Sequence, residues 1–361
     1  MKTLKVAIIG QGRSGWSIHG QYFKDCGDLF QVVAVADPLE KRRLNAEKTF
    51  NCQTYTDYKP LLERTDLDLV VNSTPSYLHV PVTELFLKKG FNVLCEKPLA
   101  KNVQEVDRLI AASRESGSVF AIFQQSRFSA YFRKVKQVID SGVLGRIVQI
   151  SIAFNGFARR WDWQCIQRFN GGNLRNTGPH PLDQALQLFG GDDMPEVFCR
   201  MDRANTFGDA EDYVKLIMTG KNRPLIDLEI SSCCAYPCFT YNVQGTCGGM
   251  KGSMDEMEWR YIVPSECPPQ KLVYEPLETA DGLPAYCGEA LTWHEEHWKV
   301  SDDVDSAESF GTFANMTARY YQMLYRTLAE GAPLEVTPQQ IRRQIAVIEE
   351  CHRQNPLSVW A

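Results

Sequence analysis

The chain has 361 residues, of which 44% are hydrophobic and 23% charged, with a formal net charge of −5. That length suits two domains, or one large one, each able to bury its own core. The weak charge without a basic cluster excludes a nucleic-acid partner, no apolar run is long enough to span a bilayer, and Met1-Lys2-Thr3-Leu4 enters the first predicted strand with no signal peptide ahead of it.

The first third alternates strand and helix. Strands are predicted at 4–9, 31–36, 68–72, 91–95 and 119–123, with helices near 15–25, 38–50, 77–89 and 102–116. Val106, Ile110 and Ala111 give the last helix an apolar face at helical spacing. Strands separated by helices predict a doubly wound parallel sheet with right-handed crossovers, an α/β domain over residues 1–124.

The pattern changes after about residue 125. A helix at 129–140 stops at Ser141-Gly142, strand 146–154 follows, and a helix at 179–189 carries Pro179 near its first turn. Strand-like runs at 196–204, 212–219, 224–232 and 238–245 are broken by Gly, Pro and Asp. This predicts an α+β domain over 125–361 with a large, mostly antiparallel sheet. The stretch 264–310 reads as loop, and helices at 311–330 and 337–353 close the chain, the C-terminal one packing back on the first domain. The 12 cysteines lack paired short spacings, and Cys95 and Cys199 sit in apolar runs. A reduced cytoplasmic setting is expected. Cys233-Cys234 with Cys238 lacks the C-x2-C pairs of a structural zinc site, so no metal is expected.

Gly10-Gln11-Gly12-Arg13-Ser14-Gly15 lies between the first strand and the first helix. In that context Gly10 makes a tight turn, Gly12 lets a pyrophosphate approach the backbone, and Gly15 lets helix and strand pack closely. The orphan N–H groups at the helix start suit phosphates. Asp37 ends the second strand, 22 residues after Gly15, where its carboxylate can accept from ribose hydroxyls and repel a 2′-phosphate. NAD is therefore favoured over NADP, although Arg13, Lys41 and Arg42 supply cations nearby. Ser73, Thr74 and Pro75 follow the 68–72 strand and can reach the nicotinamide ribose, and His79 lies one turn further on, facing the cofactor or simply a helix surface. Glu96-Lys97-Pro98 closes the 91–95 strand, which puts Lys97 at the carboxyl edge of the sheet, where open α/β sheets bind ligands.

Taken together, these residues resemble the glucose–fructose oxidoreductase / inositol dehydrogenase (Gfo/Idh/MocA) family. The likeness rests on the glycine motif, Thr74-Pro75…His79 and Cys95-Glu96-Lys97-Pro98-Leu99-Ala100. It extends through Gln124-Gln125-Ser126-Arg127-Phe128, Gly142–Ile147, the run from Gly171 to Asp183, and Glu330–Pro338. The resemblance implies a Rossmann domain, a second domain with an open-faced sheet, a nicotinamide cofactor, oxidation of a sugar or polyol alcohol, and assembly into dimers, tetramers or larger homo-oligomers. It carries catalytic roles to Lys97 and His180, a substrate contact to Asp183, and cofactor contacts to Glu96, Gln124 and Arg127, the last of these more architectural than chemical. The family often has Asp where this chain has Asn176, which can bond a hydroxyl but cannot act as a base.

The expected chemistry is loss of hydride from a secondary ring hydroxyl, with His180 as general base and Lys97 binding and relaying. Asn155–Gln164 is rich in sugar-binding chemistry: Trp161 and Trp163 to stack on a pyranose, Arg159 to bond hydroxyls, or else an interface loop. Tyr236 and Tyr241 are expected on strands facing substrate. Trp293–Trp298, with its His-x-x-His spacing, reads as a loop over the substrate mouth or a subunit contact. A glucoside oxidised at C3 is the specific expectation. A relative that recycles tightly bound NAD, and a catalytically silent NAD-binding regulator, fit the same residues.

Overall fold

The computed structural model describes residues 2–302 and 312–359. Its first sheet holds six parallel strands: β1 (Leu4–Ile9), β2 (Phe30–Ala36), β3 (Gln53–Tyr55), β4 (Leu69–Asn72), β5 (Val93–Cys95) and β6 (Phe120–Ile122). Their order is β3-β2-β1-β4-β5-β6. This is the doubly wound Rossmann arrangement, with the direction of winding reversing between β1 and β4. Strands covered on both faces must be apolar throughout, and Val6, Ala7, Ile8, Val70, Val71 and Leu94 are all fully buried. The edge strand β3 was not expected, because Gln53-Thr54-Tyr55 is too short to show an alternating pattern.

Helices α2 (Glu40–Phe50), α3 (His79–Lys88) and α4 (Val103–Ser116) lie where expected. The first helix differs. It opens as a wide π turn over Gly15–Gly20 before α1 (Gln21–Asp25). Gly10, at φ 90°, turns the chain so tightly that a Cβ there would lie 2.6 Å from the Ser73 carbonyl oxygen. A Cβ on Gly15 would run into the carbonyl of Gly10.

The second sheet has eight strands in the order β14-β13-β12-β11-β7-β10-β9-β8. They are β7 (Ile147–Asn155), β8 (Glu196–Asp202), β9 (Tyr213–Thr219), β10 (Leu225–Ser231), β11 (Tyr241–Gly245), β12 (Gly248–Gly252), β13 (Glu256–Tyr261) and β14 (His294–Lys299). Only β7 and β10 run parallel. Alternation sets the faces: in β9, Val214, Leu216 and Met218 are buried, on the side of the sheet where α7 (Pro179–Phe189) packs on β7 and β10 and Tyr131 of α5 (Ala130–Asp140) meets Tyr241 of β11. The opposite face is open, and Lys215 there bridges Asp227 at 2.6 Å and Glu229 at 3.4 Å.

Two segments depart from expectation. β12 and β13 continue the sheet beyond the predicted runs. Trp293–Trp298, read as a loop, instead supplies the edge strand β14, where Trp298 is buried against the sheet.

Helices α8 (Thr312–Glu330) and α9 (Pro338–Gln354) close the chain, and residue 311, the predicted start of α8, lies outside the described residues. α8 returns to the first sheet. Tyr321 stacks on Tyr22 at 4.4 Å, Tyr320 donates to the Ile122 carbonyl at 2.7 Å, and Tyr325 donates to the Lys2 carbonyl at 2.9 Å. A capping box of Thr337 and Gln340 starts α9. No helix among the described residues is long and apolar enough to cross a membrane.

Candidate active site

The glycine loop fits a dinucleotide. Gly12 has open space where a Cβ would stand, so a phosphate can approach its backbone. A hollow of about 250 Å³ beside it is lined by Gln11, Arg13, Trp16, Ser17, Arg42 and Asn45. Ser14 precedes the π turn and offers its backbone there. Asp37 is buried and faces the loop, accepting from the Gln11 N–H at 2.7 Å, the Leu39 N–H at 2.9 Å and Arg42 at 3.3 Å. A carboxylate has lone pairs to spare beyond these bonds, so ribose hydroxyls remain compatible with it. The Gln11 side-chain amide is buried with neither polar atom bonded, as expected of a group that awaits a ligand.

Other residues expected to touch the cofactor have most of their side-chain polar atoms bonded to protein groups, the buried Gln124 Oε1 being an exception. Ser73 Oγ donates to the Gly10 carbonyl at 2.7 Å and so braces the loop. Thr74 Oγ1 bonds Asn72, and Pro75 leads the next turn. His79 is buried between the carbonyls of Pro98 (2.7 Å) and Thr74 (2.8 Å). Burial pushes its pKa down, against the pull of those carbonyls and of Glu96. Gln124 donates to the Pro179 carbonyl at 2.5 Å, and Gln344 from α9 donates to the same oxygen at 2.6 Å. These two amides fix the residue before His180.

At the end of β5 a buried carboxylate and an amine sit side by side. Glu96 accepts from His19 at 3.1 Å, and His19 bonds the Tyr321 hydroxyl at 2.7 Å. Burial alone would raise the Glu96 pKa, but His19, Lys97 and His79 overcome it and hold the group at about 2. Glu96 is therefore an anion, aimed at His19 rather than at a cofactor. Lys97 Nζ donates to the carbonyl of Asn176 at 2.9 Å, a bond between the first sheet and α6 (Asn173–Asn176) of the second unit. Burial lowers the Lys97 pKa; Glu96 opposes the shift, and Arg13 and Arg160 reinforce it.

His180, in the first turn of α7, meets Ser126 Oγ through Nδ1 at 3.0 Å. Burial and the charge of Lys97 push it down to about 3. The charge of Lys97, at the end of β5, thus reaches His180, which the first turn of α7 brings in from the second unit.

Three expected substrate contacts are corrected. Asp183 is buried and gives its carboxylate to Arg127, one bond of which is 2.9 Å. Arg127 also reaches the Glu335 carbonyl at 2.9 Å and Gln340 at 2.6 Å, so the pair locks α7 to the chain leading into α9. Tyr241 is fully buried under α7, its hydroxyl on Gln184 at 2.7 Å, because the register of β11 turns it inward. Arg159 lies outward over Phe207 at 4.7 Å, and its neighbour Arg160 is the one whose charge reaches Lys97. Trp161 is 80% exposed and Trp163 39%, so both remain free to stack on a ligand.

Sequence reasoning gave no role to His19 and named Ser126 only within the Gln124–Phe128 run, and it flagged Arg160 and Gln164 only as part of the Asn155–Gln164 run. Asn176 donates to Gln164 at 3.4 Å, and Gln164 in turn receives Arg160, which holds Asp162 at 2.6 Å. His19 alone carried no usable signal.

A family model for the NAD-binding Rossmann fold of the GFO/IDH/MocA oxidoreductases matches residues 4–124, and one for the GFO/IDH/MocA C-terminal domain matches residues 132–251. The chain belongs to this family. Its first sheet is an NAD-binding domain, and the protein is an oxidoreductase. Relatives include the 2,7-anhydro-N-acetylneuraminate hydratase of Mediterraneibacter gnavus, 31% identical over 70% of this chain and 68% of that protein. The D-glucoside 3-dehydrogenase of Escherichia coli is 29% identical over 52% of this chain and 54% of its own length. Among solved structures, the NAD-binding protein of Listeria innocua has the same fold, with a TM-score of 0.79 and 19% identity over 98% of this chain and 97% of that one. The WlbA dehydrogenase of Bordetella pertussis, in complex with NADH and UDP-GlcNAcA, scores 0.77 at 18% identity over 98% and 96%.

Proposed function

We propose that the protein oxidises a secondary ring hydroxyl of a sugar or glycoside to a ketone with NAD, C3 of a glucoside being the specific reading. The observation that carries it is that the buried Lys97 amine feels the charge of Arg13 from the glycine loop and acts in turn on the imidazole of His180. The family's NAD-binding model and the glucoside 3-dehydrogenase among the relatives support it.

The glycine loop, Gln11 and Asp37 would hold NAD, which supplies the hydride acceptor when bound. Lys97 and His180 then handle the hydroxyl. An imidazole held at about 3 is a weak sink for a proton, although its neutral form bonds a hydroxyl well. Lys97, whose pKa burial lowers, is the better sink. This reverses the assignment expected from the sequence: Lys97 takes the hydroxyl proton, and His180, anchored on Ser126, orients the oxygen. Trp161 and Trp163 cover the ring.

The test is a panel of sugars and glycosides, followed by absorbance of the reduced nicotinamide. Reduction with glucosides supports the reading, and none with any sugar removes it. A second reading comes from the hydratase among the relatives, whose name describes no net oxidation: the same residues working on NAD that stays bound and is recycled. NAD that co-purifies, with product forming but no reduced cofactor accumulating, selects it. Both readings place the protein in the cytoplasm. Both also have it assemble through the open face of the eight-stranded sheet, which light scattering after size exclusion tests.

A further inference from the structure

β7 and β10, the parallel pair of the second sheet, end side by side at Asn155 and Ser231. Beyond their ends lies a cleft of about 480 Å³. It shares two walls with the reacting groups. One is the α6 turn: Asn173 and Thr177 line the cleft, and Thr177 directly follows Asn176, whose carbonyl holds Lys97. The other is the chain leaving β7. It stays laced to the end of β10 by Gly156 to the Ser231 carbonyl (2.9 Å) and Ala158 to the Ser232 carbonyl (3.0 Å), then runs on to Arg160, whose charge Lys97 feels.

The chemistry of the two compartments differs. Around Lys97 stand Glu96, Arg13 and Arg160. No Asp, Glu, Lys or Arg lines the cleft. Its walls are apolar at Phe154, Phe239 and Met254, with neutral hydrogen-bonding groups on Asn155 and Ser232. The segments that wall it also carry Phe157 and Tyr236, 64% and 89% exposed. A phosphate or carboxylate lodged in the cleft would lose its hydration without gaining a counter-charge. An apolar ring would bury its surface against Phe154, Phe239 and Met254 at no such cost.

We propose that this cleft is the subsite for the non-reacting end of the substrate, and that this end is an uncharged aglycone with an apolar face. The inference rests on the sugar-oxidation reading and narrows it to neutral glycosides, as opposed to nucleotide sugars or acidic sugars.

The test compares methyl glucoside, phenyl glucoside and glucose 1-phosphate as substrates of the full chain, in the native form and as Met254→Trp. The native protein should favour phenyl over methyl glucoside by at least about tenfold in kcat/KM and should use the phosphate least. Met254→Trp should bring the phenyl value down to the methyl value and leave the methyl value unchanged. Equal values for the first two substrates in the native protein, or a variant that loses both alike while folded, would overturn the subsite.

A second readout needs neither turnover nor substitution. Cys238 lines the cleft and is exposed. Phenyl glucoside should slow its alkylation, read on its own peptide by mass spectrometry, and methyl glucoside should not. No protection overturns the proposal. If none of the three sugars is oxidised, the glucoside reading fails, and protection of Cys238 by phenyl glucoside still decides the cleft.

Discussion

The two sides of the active site are built to opposite standards. On the cofactor side the scaffold is held by protein partners, with the Gln11 amide and the Gln124 and Gln125 side-chain oxygens left over: Asp37 holds the loop, Ser73 braces Gly10, and the chain Tyr321–His19–Glu96 runs through buried space. On the substrate side, Phe157, Trp161 and Tyr236 stand in solvent, 64%, 80% and 89% exposed. The first arrangement is rigid before any ligand arrives and suits a cofactor that is always the same. The second leaves apolar area for a substrate to cover, which is how specificity can vary on one scaffold.

Substitutions on the rigid side should therefore cost more than those on the open side. The largest effect is expected from Lys97→Met, which should lower kcat by about a thousandfold or more while NAD still binds, as titration of cofactor fluorescence would report. Normal turnover in that variant removes Lys97 as the proton acceptor.

Gly10→Ala comes next. It forces a side chain onto a φ of 90° and into the Ser73 carbonyl, so about 2–4 kcal/mol of stability should go, measured by denaturant midpoint, and NAD affinity with it.

Glu211 gives a pH-dependent effect of similar or smaller size. It is buried behind α6, accepts the Leu174 N–H at 3.1 Å, and burial raises it to about 7, against the pull of Arg175. The group binds its proton more tightly folded than unfolded. Its contribution is thus complete below its ordinary value of about 4.5 and is lost as pH climbs through about 7. Over that window the native chain should lose up to about 3 kcal/mol relative to Glu211→Gln in paired denaturation curves. Parallel curves would mean that the carboxyl is ionised throughout.

Two charge removals should then move the activity profile in opposite directions. Glu96 raises the Lys97 pKa and Arg160 lowers it. The rising limb of kcat/KM should therefore shift to lower pH in Glu96→Gln and to higher pH in Arg160→Gln. A shift in the same direction for both would show that the limb belongs to another group.

The smallest effect belongs to the open side. Trp161→Ala should change stability by less than about 0.5 kcal/mol and act only through a raised KM. A large loss of stability would mean that the ring packs against protein rather than ligand.

The sequence made the first sheet legible because doubly wound strands leave continuous apolar runs separated by helical periods, and the glycine motif has a fixed place among them. It hid β12, because Gly248-Gly249-Met250-Lys251-Gly252 has almost no side chains with which to signal a strand, and β14, because four of its six residues are His or Glu. Lys97 and His180 were readable by motif. Arg127 was read as architectural, whereas Asp183 was found but misplaced in role, since its pairing with Arg127 across 56 residues leaves no local trace. The choice between Arg159 and Arg160 was unreadable for another reason: an irregular loop has no period to say which neighbour points inward.

The bond from Lys97 to the Asn176 carbonyl spans the gap between the two halves of the molecule. Any hinge motion that opens this gap to admit a ligand must release that tether and wet the amine. Water would relieve the burial that lowers the lysine's pKa, so the amine of an open molecule would sit nearer its ordinary value. Closure over the ligand would then both seat the reactants and tune the amine beside them.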